Sequence, residues 1–263
     1  MIISDRNKFV FIHIPKCAGT SIRSRVEHLD DRNGAYSSRL DEHPELGLLN
    51  YVHIPLLTLR DHFPNEYECV ETYRSMAVMR NPSARFVSSV SQYCNRYSDV
   101  EMRSHSIKTL RRQVNRLIDE IEELEVLNPG GRLPAKLIHF QRQHHFTHLH
   151  GAQVVQNIVD IFQIESVLAD LLGKSELKGH HSVKANESKV YRNESLKILA
   201  SSVKAVVPGI HSALSPKVSA WLAERLHAPL KGQFATVFED VKVRDFIARY
   251  YDFDEILLNK ITS

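Results

Sequence analysis

A lysine, a glycine and two hydroxyl side chains succeed one another in Lys16-Cys17-Ala18-Gly19-Thr20-Ser21, where an apolar run ends. These residue types hold anions. Gly19 lets the backbone come close to a ligand, Thr20 and Ser21 can cap a helix whose first N–H groups point at the anion, and Lys16 adds a mobile positive charge. The Walker A order would place the lysine directly after the second glycine; here it precedes the glycine by three positions, so an ordinary nucleoside triphosphatase fits poorly. A second set of the same character is Arg80-Asn81-Pro82-Ser83-Ala84-Arg85-Phe86-Val87-Ser88. An arginine at a strand end and a serine inside the following helix can converge on one phosphate through charge-assisted hydrogen bonds. Taken singly, each segment also reads as a plain strand, turn and helix, with Lys16 exposed, Arg80 closing a helix start and Ser88 a small packing residue.

The elements that must carry these groups follow from periodicity. Phe9 to Ile14 is short, β-branched and aromatic, which suits a strand covered on both faces of a parallel sheet. Pro15 ends it, and a helix over Thr20 to Leu29 follows, closed by Asp30-Asp31-Arg32-Asn33-Gly34. A less regular polar region extends to Asn50. Tyr51-Val52-His53-Ile54 is a brief β-prone piece closed by Pro55, and Leu56 to His62 predicts a short helix before Pro64. Ser75 to Met79 is the next strand; Asn81 as N-cap and Pro82 as first helical residue open a helix to Tyr97. Phe86, Val90, Tyr93, Cys94 and Tyr97 form its apolar stripe, which leaves Arg85, Ser88, Ser89 and Gln92 on a polar side available to a ligand.

Ile107 to Leu124 predicts a long amphipathic helix, stopped near Pro129-Gly130-Gly131. Arg111, Arg112 and Arg116 lie early on it, and Asp119, Glu120, Glu122, Glu123 and Glu125 late, an order that opposes the helix dipole. Either this is a solvated face, or it pairs with another surface or chain and the 107–124 helix makes an oligomer contact. Ile158 to Ile164 reads as a third buried strand, followed by a helix over Glu165 to Leu172 that Gly173 ends. Strands alternating with helices predict a parallel sheet. Further helices are expected over Glu194 to Val207, Pro216 to Leu226 and Val241 to Tyr251, giving a largely helical C-terminal third.

At 263 residues the chain is long enough to bury a core without staples, and one domain is expected. A formal net charge of +3 helps attract an anion but is far short of the basic face a nucleic-acid binder concentrates. Cys17, Cys69 and Cys94 contain no CxxC pair, so neither a disulfide framework nor a cysteine zinc site is suggested and a reducing compartment is the simpler assumption. The N-terminal run around Asp5, Arg6 and Lys8 is too short for a signal peptide, and no stretch approaches the roughly 20 apolar residues of a spanning helix. The expected location is the cytoplasm. Asn186-Glu187-Ser188 and Asn193-Glu194-Ser195 match the glycosylation pattern, but without a secretion signal they read as capping or turn residues.

Together the two anion segments resemble the sulfotransferases that use 3′-phosphoadenosine 5′-phosphosulfate, in particular the branch of Golgi carbohydrate sulfotransferases and their bacterial relatives. The resemblance implies that the segment from Phe11 to Ser21 wraps the 5′-phosphosulfate, with Cys17 standing where threonine is more usual. It implies that Arg80 and Ser88 bind the 3′-phosphate. Asp160-Ile161-Phe162-Gln163-Ile164-Glu165 looks like the family's later strand-to-helix segment, and Asn186-Glu187-Ser188 with Tyr191 like its asparagine-serine loop, so the likeness covers Lys8 to Tyr191. Lys184 and Lys189 flank that loop and either cover the nucleotide or are solvated. In uronyl-type members a histidine in a similar segment looks like the base, which here points to His53; an imidazole with its ordinary pKa of about 6.5 suits that task. Glu27, His43 and His62 are reserves, and His13 is read as a packing residue.

His139, His144, His145, His148 and His150 invite a metal reading, but no HExxH or nearby carboxylate completes a site, and no metal is required. The resulting expectation is a single α/β domain over 1–263 with a central parallel sheet of P-loop-like topology and helices on both faces. Residues 1–100 form the donor-binding core, and 101–263 the remaining core strand and the acceptor side. Lys16 and His53 are catalytic, Lys16, Cys17, Ala18, Gly19, Thr20, Ser21, Arg80 and Ser88 bind the donor, and adenosine 3′,5′-bisphosphate leaves after transfer to a hydroxyl, the family pointing to a carbohydrate. The rivals are a kinase on a variant P-loop, which lacks a clear magnesium-binding aspartate after an apolar strand, and a non-catalytic binding protein on the same fold.

Overall fold

The computed structural model of the chain describes residues 1–37, 40–97, 106–173, 176–177, 189–191, 227–229 and 234–262. Residues Met1–Ala185 with Val241–Ser263 make one compact unit, and Asn186–Asp240 another. In the larger unit β1 (Ile2–Ser4) pairs antiparallel with β2 (Phe9–Ile12), whose residues are all buried. The chain then forms α1 (Gly19–Val26) and a 3-10 turn at Glu27–Leu29, a hairpin of β3 (Leu40–His43) and β4 (Gly47–Asn50), and the helices α2 (Leu56–His62) and α3 (Pro64–Thr72).

The next strand, β5 (Arg74–Met79), lies parallel to β2 with Ile12 opposite Ala77. After α4 (Pro82–Tyr97) and α5 (Ile107–Leu127) come two 3-10 turns, Ile138–Phe140 and Gln143–Phe146, and the short pair β6 (His148–Leu149) and β7 (Ala152–Gln153). The fourth strand of the main sheet, β8 (Asn157–Asp160), runs parallel to β5, and α6 (Ile164–Leu172) follows it. The order is β1-β2-β5-β8, a mostly parallel sheet with one antiparallel edge. Its three parallel strands end on one side, where open α/β sheets bind their ligands. Phe9, Phe11, Met76, Val78, Ile22, Val26, Val70 and Ile164 fill the core around it.

In the smaller unit β9 (Lys189–Tyr191) pairs antiparallel with β10 (His227–Pro229), and α7 (Ala235–Phe238) follows. The expected helices over 194–207 and 216–226, the Asn186-Glu187-Ser188 loop and Lys184 lie outside the described residues. The chain ends in α8 (Val241–Tyr250) and α9 (Asp252–Thr262), back in the larger unit. Among the described residues no helix is long and apolar enough to cross a membrane.

Several expectations are corrected. Tyr51 to Ile54 is a turn and not a strand, because Asn50 bends the chain: its Oδ1 accepts from Val52 N at 3.2 Å and its carbonyl from His53 N at 3.0 Å. The helix over Leu56 to His62 forms as expected, and a further helix, not foreseen, begins directly at Pro64, since proline is tolerated at the first helical position. The third parallel strand stops at Asp160, four residues early, where Oδ1 accepts from Phe162 N at 2.6 Å and turns the chain into α6. Of the alternatives for the acidic half of α5, pairing with another surface is the one seen, and that surface belongs to the same chain: Asp119 pairs with Lys242, Glu122 with Arg249 at 2.7 Å and Glu125 with Arg142 at 2.8 Å. On α4, Arg85 and Ser89 do not face a ligand; both are fully buried.

Arg85 is the larger surprise, a guanidinium inside the core. Nη1 donates to the His139 carbonyl at 3.0 Å, Nη2 to that of Gln141 at 2.8 Å, and the Tyr251 ring lies 5.0 Å away. Its countercharge is Asp254 of α9, also fully buried, which accepts from Gln143 N at 2.8 Å, His144 N at 2.9 Å and His144 Nδ1 at 2.8 Å. Burial alone would raise the Asp254 carboxyl, but the His144 hydrogen bond, the Arg85 charge and the Gln143 amide together hold it below the ordinary aspartate value. A carboxylate depressed in this way stabilises the fold above its unfolded pKa and ceases to do so as pH falls through the folded value. Asp254→Asn is therefore expected to lower Tm by roughly 6–12 °C near neutrality, the equivalent of about 3 kcal/mol for a broken buried pair. It should also lose less stability than the parent protein on acidification, and thermal melts across a pH series check both effects.

Candidate functional site

Parallel pairing of β2 with β5 places the turn after Ile12 beside the turn after Met79. The first turn is bent twice into the left-handed region, at Lys16 (φ 65°) and at Ala18 (φ 60°). Each such residue costs about 1–3 kcal/mol, and such turns are anion-binding concavities when their N–H groups point inward. Ala18, not a hydroxyl residue, is the N-cap of α1, without a side-chain cap bond. Thr20 and Ser21 instead lie within the first turn of the helix. Ser21 N and Ile22 N return to the Ala18 carbonyl at 3.0 and 3.2 Å, so the Gly19 and Thr20 amides are the ones the helix itself leaves unbonded.

Gly19 is required by a side chain of this protein. A Cβ at that position would lie 1.9 Å from both Cδ2 and Nε2 of His13, so the imidazole occupies the space an alanine would need. His13, read from the sequence as a packing residue, is the first of three imidazoles in a row. Its ring centroid is 4.6 Å from that of His53, and His53 is 5.4 Å from His139. His53 Nδ1 lies 2.8 Å from the His13 carbonyl. A carbonyl only accepts, so Nδ1 carries the proton and Nε2 keeps its lone pair.

The second turn is joined to the first by direct bonds. Arg80 Nη1 donates to the Lys16 carbonyl at 3.4 Å, and Lys16 Nζ donates to Gln92 Oε1 of α4 at 3.5 Å. Ser88 is buried one helical turn before Gln92 on the same face, so Lys16, Arg80, Ser88 and His53 are brought to one end of the sheet. Gln143, which the sequence reading missed, binds both turns. Its Oε1 accepts from Arg80 N at 2.9 Å and lies 3.2 Å from Cys17 Sγ, while its Nε2 donates to the Arg80 carbonyl at 2.9 Å.

A family model described as "Sulfotransferase family" matches residues 1–258. The chain belongs to the sulfotransferase family. It is thereby a transferase by family, and sulfuryl transfer is the reaction that membership points to. No curated protein and no solved structure matches the chain.

The electrostatics of this sulfotransferase-family site are one-sided. Burial, the neighbouring His139 and the Lys16 charge push His53 well below the ordinary histidine value, so its ring is neutral near neutral pH. His139 is lowered to about 4 by burial and by Lys16, Arg96 and Arg85. Burial and Arg80 lower Lys16 as well, and burial pushes the Cys17 thiol up to about 12, which makes it an inert packing group. The remaining histidines of the suggested metal cluster are engaged elsewhere: His144 with Asp254, His145 with Gln141 at 2.6 Å, His148 with Thr147 at 2.9 Å and His150 with Arg60 at 3.2 Å. Among the described residues no group of three or more His, Cys, Asp or Glu converges for a metal ion. Of the reserves, Glu27 is exposed and His43 and His62 pack against each other beside Glu45.

Gly19→Ala tests the packing of the turn. The added methyl must displace a buried imidazole, so an overpacking cost of about 1–3 kcal/mol and a Tm lower by roughly 3–10 °C are expected. His13→Ala in the same chain should recover part of that loss by vacating the space. Melting curves of the three variants check this, and an unchanged Tm for Gly19→Ala would refute the close approach.

Proposed function

We propose that this protein transfers a sulfuryl group from 3′-phosphoadenosine 5′-phosphosulfate to a hydroxyl of a carbohydrate, with His53 as the general base. One observation carries the reading: the His53–His13 hydrogen bond, which commits Nδ1 to a carbonyl and leaves Nε2 as a proton acceptor close to the Lys16 charge. The unbonded Gly19 and Thr20 amides, Lys16 and Arg80 fit an anionic nucleotide, because every one of them is a donor or a cation. In this reading Lys16, Cys17, Ala18, Gly19, Thr20 and Ser21 hold the 5′-phosphosulfate, and Arg80 and Ser88 the 3′-phosphate. The donor supplies the sulfuryl group and a phosphate leaving group. Lys16 stabilises negative charge on the bridging oxygen, and His53 Nε2 takes the acceptor's proton.

The reading includes one working domain across 1–263, of P-loop-like topology with helices on both faces of the sheet, donor at 1–100 and acceptor at 101–263. It also includes a cytoplasmic location, supported by the free thiols of Cys17, Cys69 and Cys94.

Thermal shift separates it from its rivals. Adenosine 3′,5′-bisphosphate at about 100 times its Kd should stabilise by about 2.7 kcal/mol, a rise of roughly 5–10 °C, and ATP with magnesium should not. The reverse pattern would make the chain a kinase. Nucleotide binding without transfer of label from a sulfur-labelled donor to polysaccharides, glycolipids or phenols would make it a binding protein, and label on phenols alone would overturn the carbohydrate acceptor.

His53→Ala is expected to lower kcat by about 100- to 10,000-fold and to leave adenosine 3′,5′-bisphosphate affinity unchanged. Since a base must be unprotonated and His53 is held low in the enzyme without donor, the acid limb of kcat/KM for the donor should fall well below about pH 6.5. A limb at or above that value would count against His53.

A further inference from the structure

Beyond His13 and His53 stands the third imidazole of the row, His139, in the 3-10 turn Ile138–Phe140. Its backbone is pinned. The carbonyl accepts from Arg85 Nη1 at 3.0 Å and from Ser89 Oγ at 2.8 Å, and both donors are fully buried on α4. The ring is left unengaged. It is only 8% exposed, yet among the described residues neither of its nitrogens has a hydrogen-bond partner, and neither is sealed inside the protein as His13 Nδ1 is. A backbone fixed by two donors that presents an imidazole with both nitrogens unsatisfied is the arrangement of a binding group held ready.

The neighbours of the ring define what it meets. On one side its centroid is 5.4 Å from that of His53. On the other, Ser89 lies one helical turn before Gln92, so the turn of α4 that holds the His139 carbonyl also holds Lys16 Nζ. Lys16 is accordingly the largest of the charges that act on the ring, and with burial it keeps the imidazole neutral. His139 is thus adjacent to the base and to the lysine at once. In sulfuryl transfer the bond from the acceptor oxygen to sulfur forms as the bond from sulfur to the bridging oxygen breaks, and the acceptor's proton passes to His53 Nε2. The two reacting oxygens lie on opposite sides of sulfur, with its other three oxygens around the line between them. A group beside both the base and the lysine faces those three oxygens.

We propose that a ring N–H of His139 donates to a sulfuryl oxygen of the donor and so holds the group in transfer between His53 and Lys16. The proposal rests on the sulfotransferase reading given above. A neutral imidazole has one N–H to donate, and it brings no second positive charge next to Lys16.

Calorimetry on the full chain without acceptor tests it. The probes are 3′-phosphoadenosine 5′-phosphosulfate and adenosine 3′,5′-bisphosphate, which differ in the sulfuryl group alone. His139→Phe keeps a ring against His53 and removes both nitrogens. It is expected to weaken binding of the phosphosulfate by about tenfold or more, as the loss of a hydrogen bond to a charged group does, and to leave that of the bisphosphate as it is. His139→Asn and His139→Gln set an amide N–H near the places of Nδ1 and Nε2 respectively, and one of the two should restore most of the loss, which a ring that only packs would not allow. Bisphosphate affinity and the melting curve control for folding, and the smaller His139→Leu makes the same comparison where the phenylalanine shifts either. An equal loss for both probes, no loss for either, or a loss that neither amide restores would overturn the proposal. A parent chain that transfers labelled sulfuryl, with a His139→Phe variant that binds both probes as the parent does, would sink the proposal alone. Phosphosulfate binding that depends on His139 without transfer to any acceptor would uphold the contact and sink the catalytic reading.

Discussion

Gln143 spends both ends of its carboxamide on the backbone of Arg80 and places the same oxygen against Cys17, and on that clamp the geometry of the candidate site depends. Parallel strands bring two turns to one side of a sheet, but a ladder that ends at Ile12 and Ala77 does not fix the course of the chain beyond it. The clamp does. It closes off the N–H and C=O of Arg80, so the chain cannot extend the ladder there, and the side chain is left to reach the Lys16 carbonyl. Gln143 is in turn held from below by Asp254, whose two oxygens take the amides of the 143–146 turn. The last helix of the chain therefore braces the first of the two turns of the candidate site.

The same brace explains the buried Arg85. Besides the Phe140 carbonyl, which the Tyr251 hydroxyl serves, the backbone between Ile138 and Gln141 presents two carbonyls to the inside of the protein, those of His139 and Gln141, and buried carbonyls need donors. Arg85 serves both at once, and Ser89 adds a second bond to the His139 carbonyl at 2.8 Å. Desolvating a guanidinium is tolerable only with a countercharge, which Asp254 supplies. These two opposite charges thus set the position of His139 on one side and of Gln143 on the other.

What could be read from the sequence was what is local. The β-branched run into Pro15, the Asn81-Pro82 cap and the apolar stripes of α4 and α5 are short-range patterns, and each element formed where those patterns put it, within three residues at either end. Asn81 does cap α4, its Oδ1 accepting from Ala84 N at 3.0 Å. The juxtaposition of Lys16 with Arg80 was legible in part, since strand alternation implies parallel neighbours. Polarity misled on α4: Arg85 and Ser89 share the helix face of Ser88 and Gln92, yet they turn inward because carbonyls at least 50 positions away in sequence call for donors. Gln143 and Asp254 carried no local signal, for a glutamine in a short 3-10 turn and an aspartate at a helix start look like solvent-facing groups. His13 looked like strand filling, and only the missing Cβ of Gly19 reveals why an imidazole lies there.

The charges that act on the site also explain how a cluster of imidazoles and cations is stable. Apart from burial, the groups that lower His13, His53, His139 and Lys16 are all of the kind that is positive when protonated: Lys16, Arg80, Arg23, Arg85, Arg96, the amino terminus and the imidazoles themselves. The fold accommodates this by keeping the histidines neutral, which costs little because their ordinary pKa is close to neutrality. Lys16 and Arg80 have no such escape and, among the described residues, depend on backbone carbonyls and the Gln92 amide, dipoles in place of a countercharge. An anion entering between them would supply the missing charge, and by linkage every base within its field would then hold its proton more tightly. His53 would gain basicity when, and only when, the anion is in place. A base whose strength rises with occupancy of the neighbouring turn is a consequence of a site built from cations and dipoles, and it needs no motion of the chain.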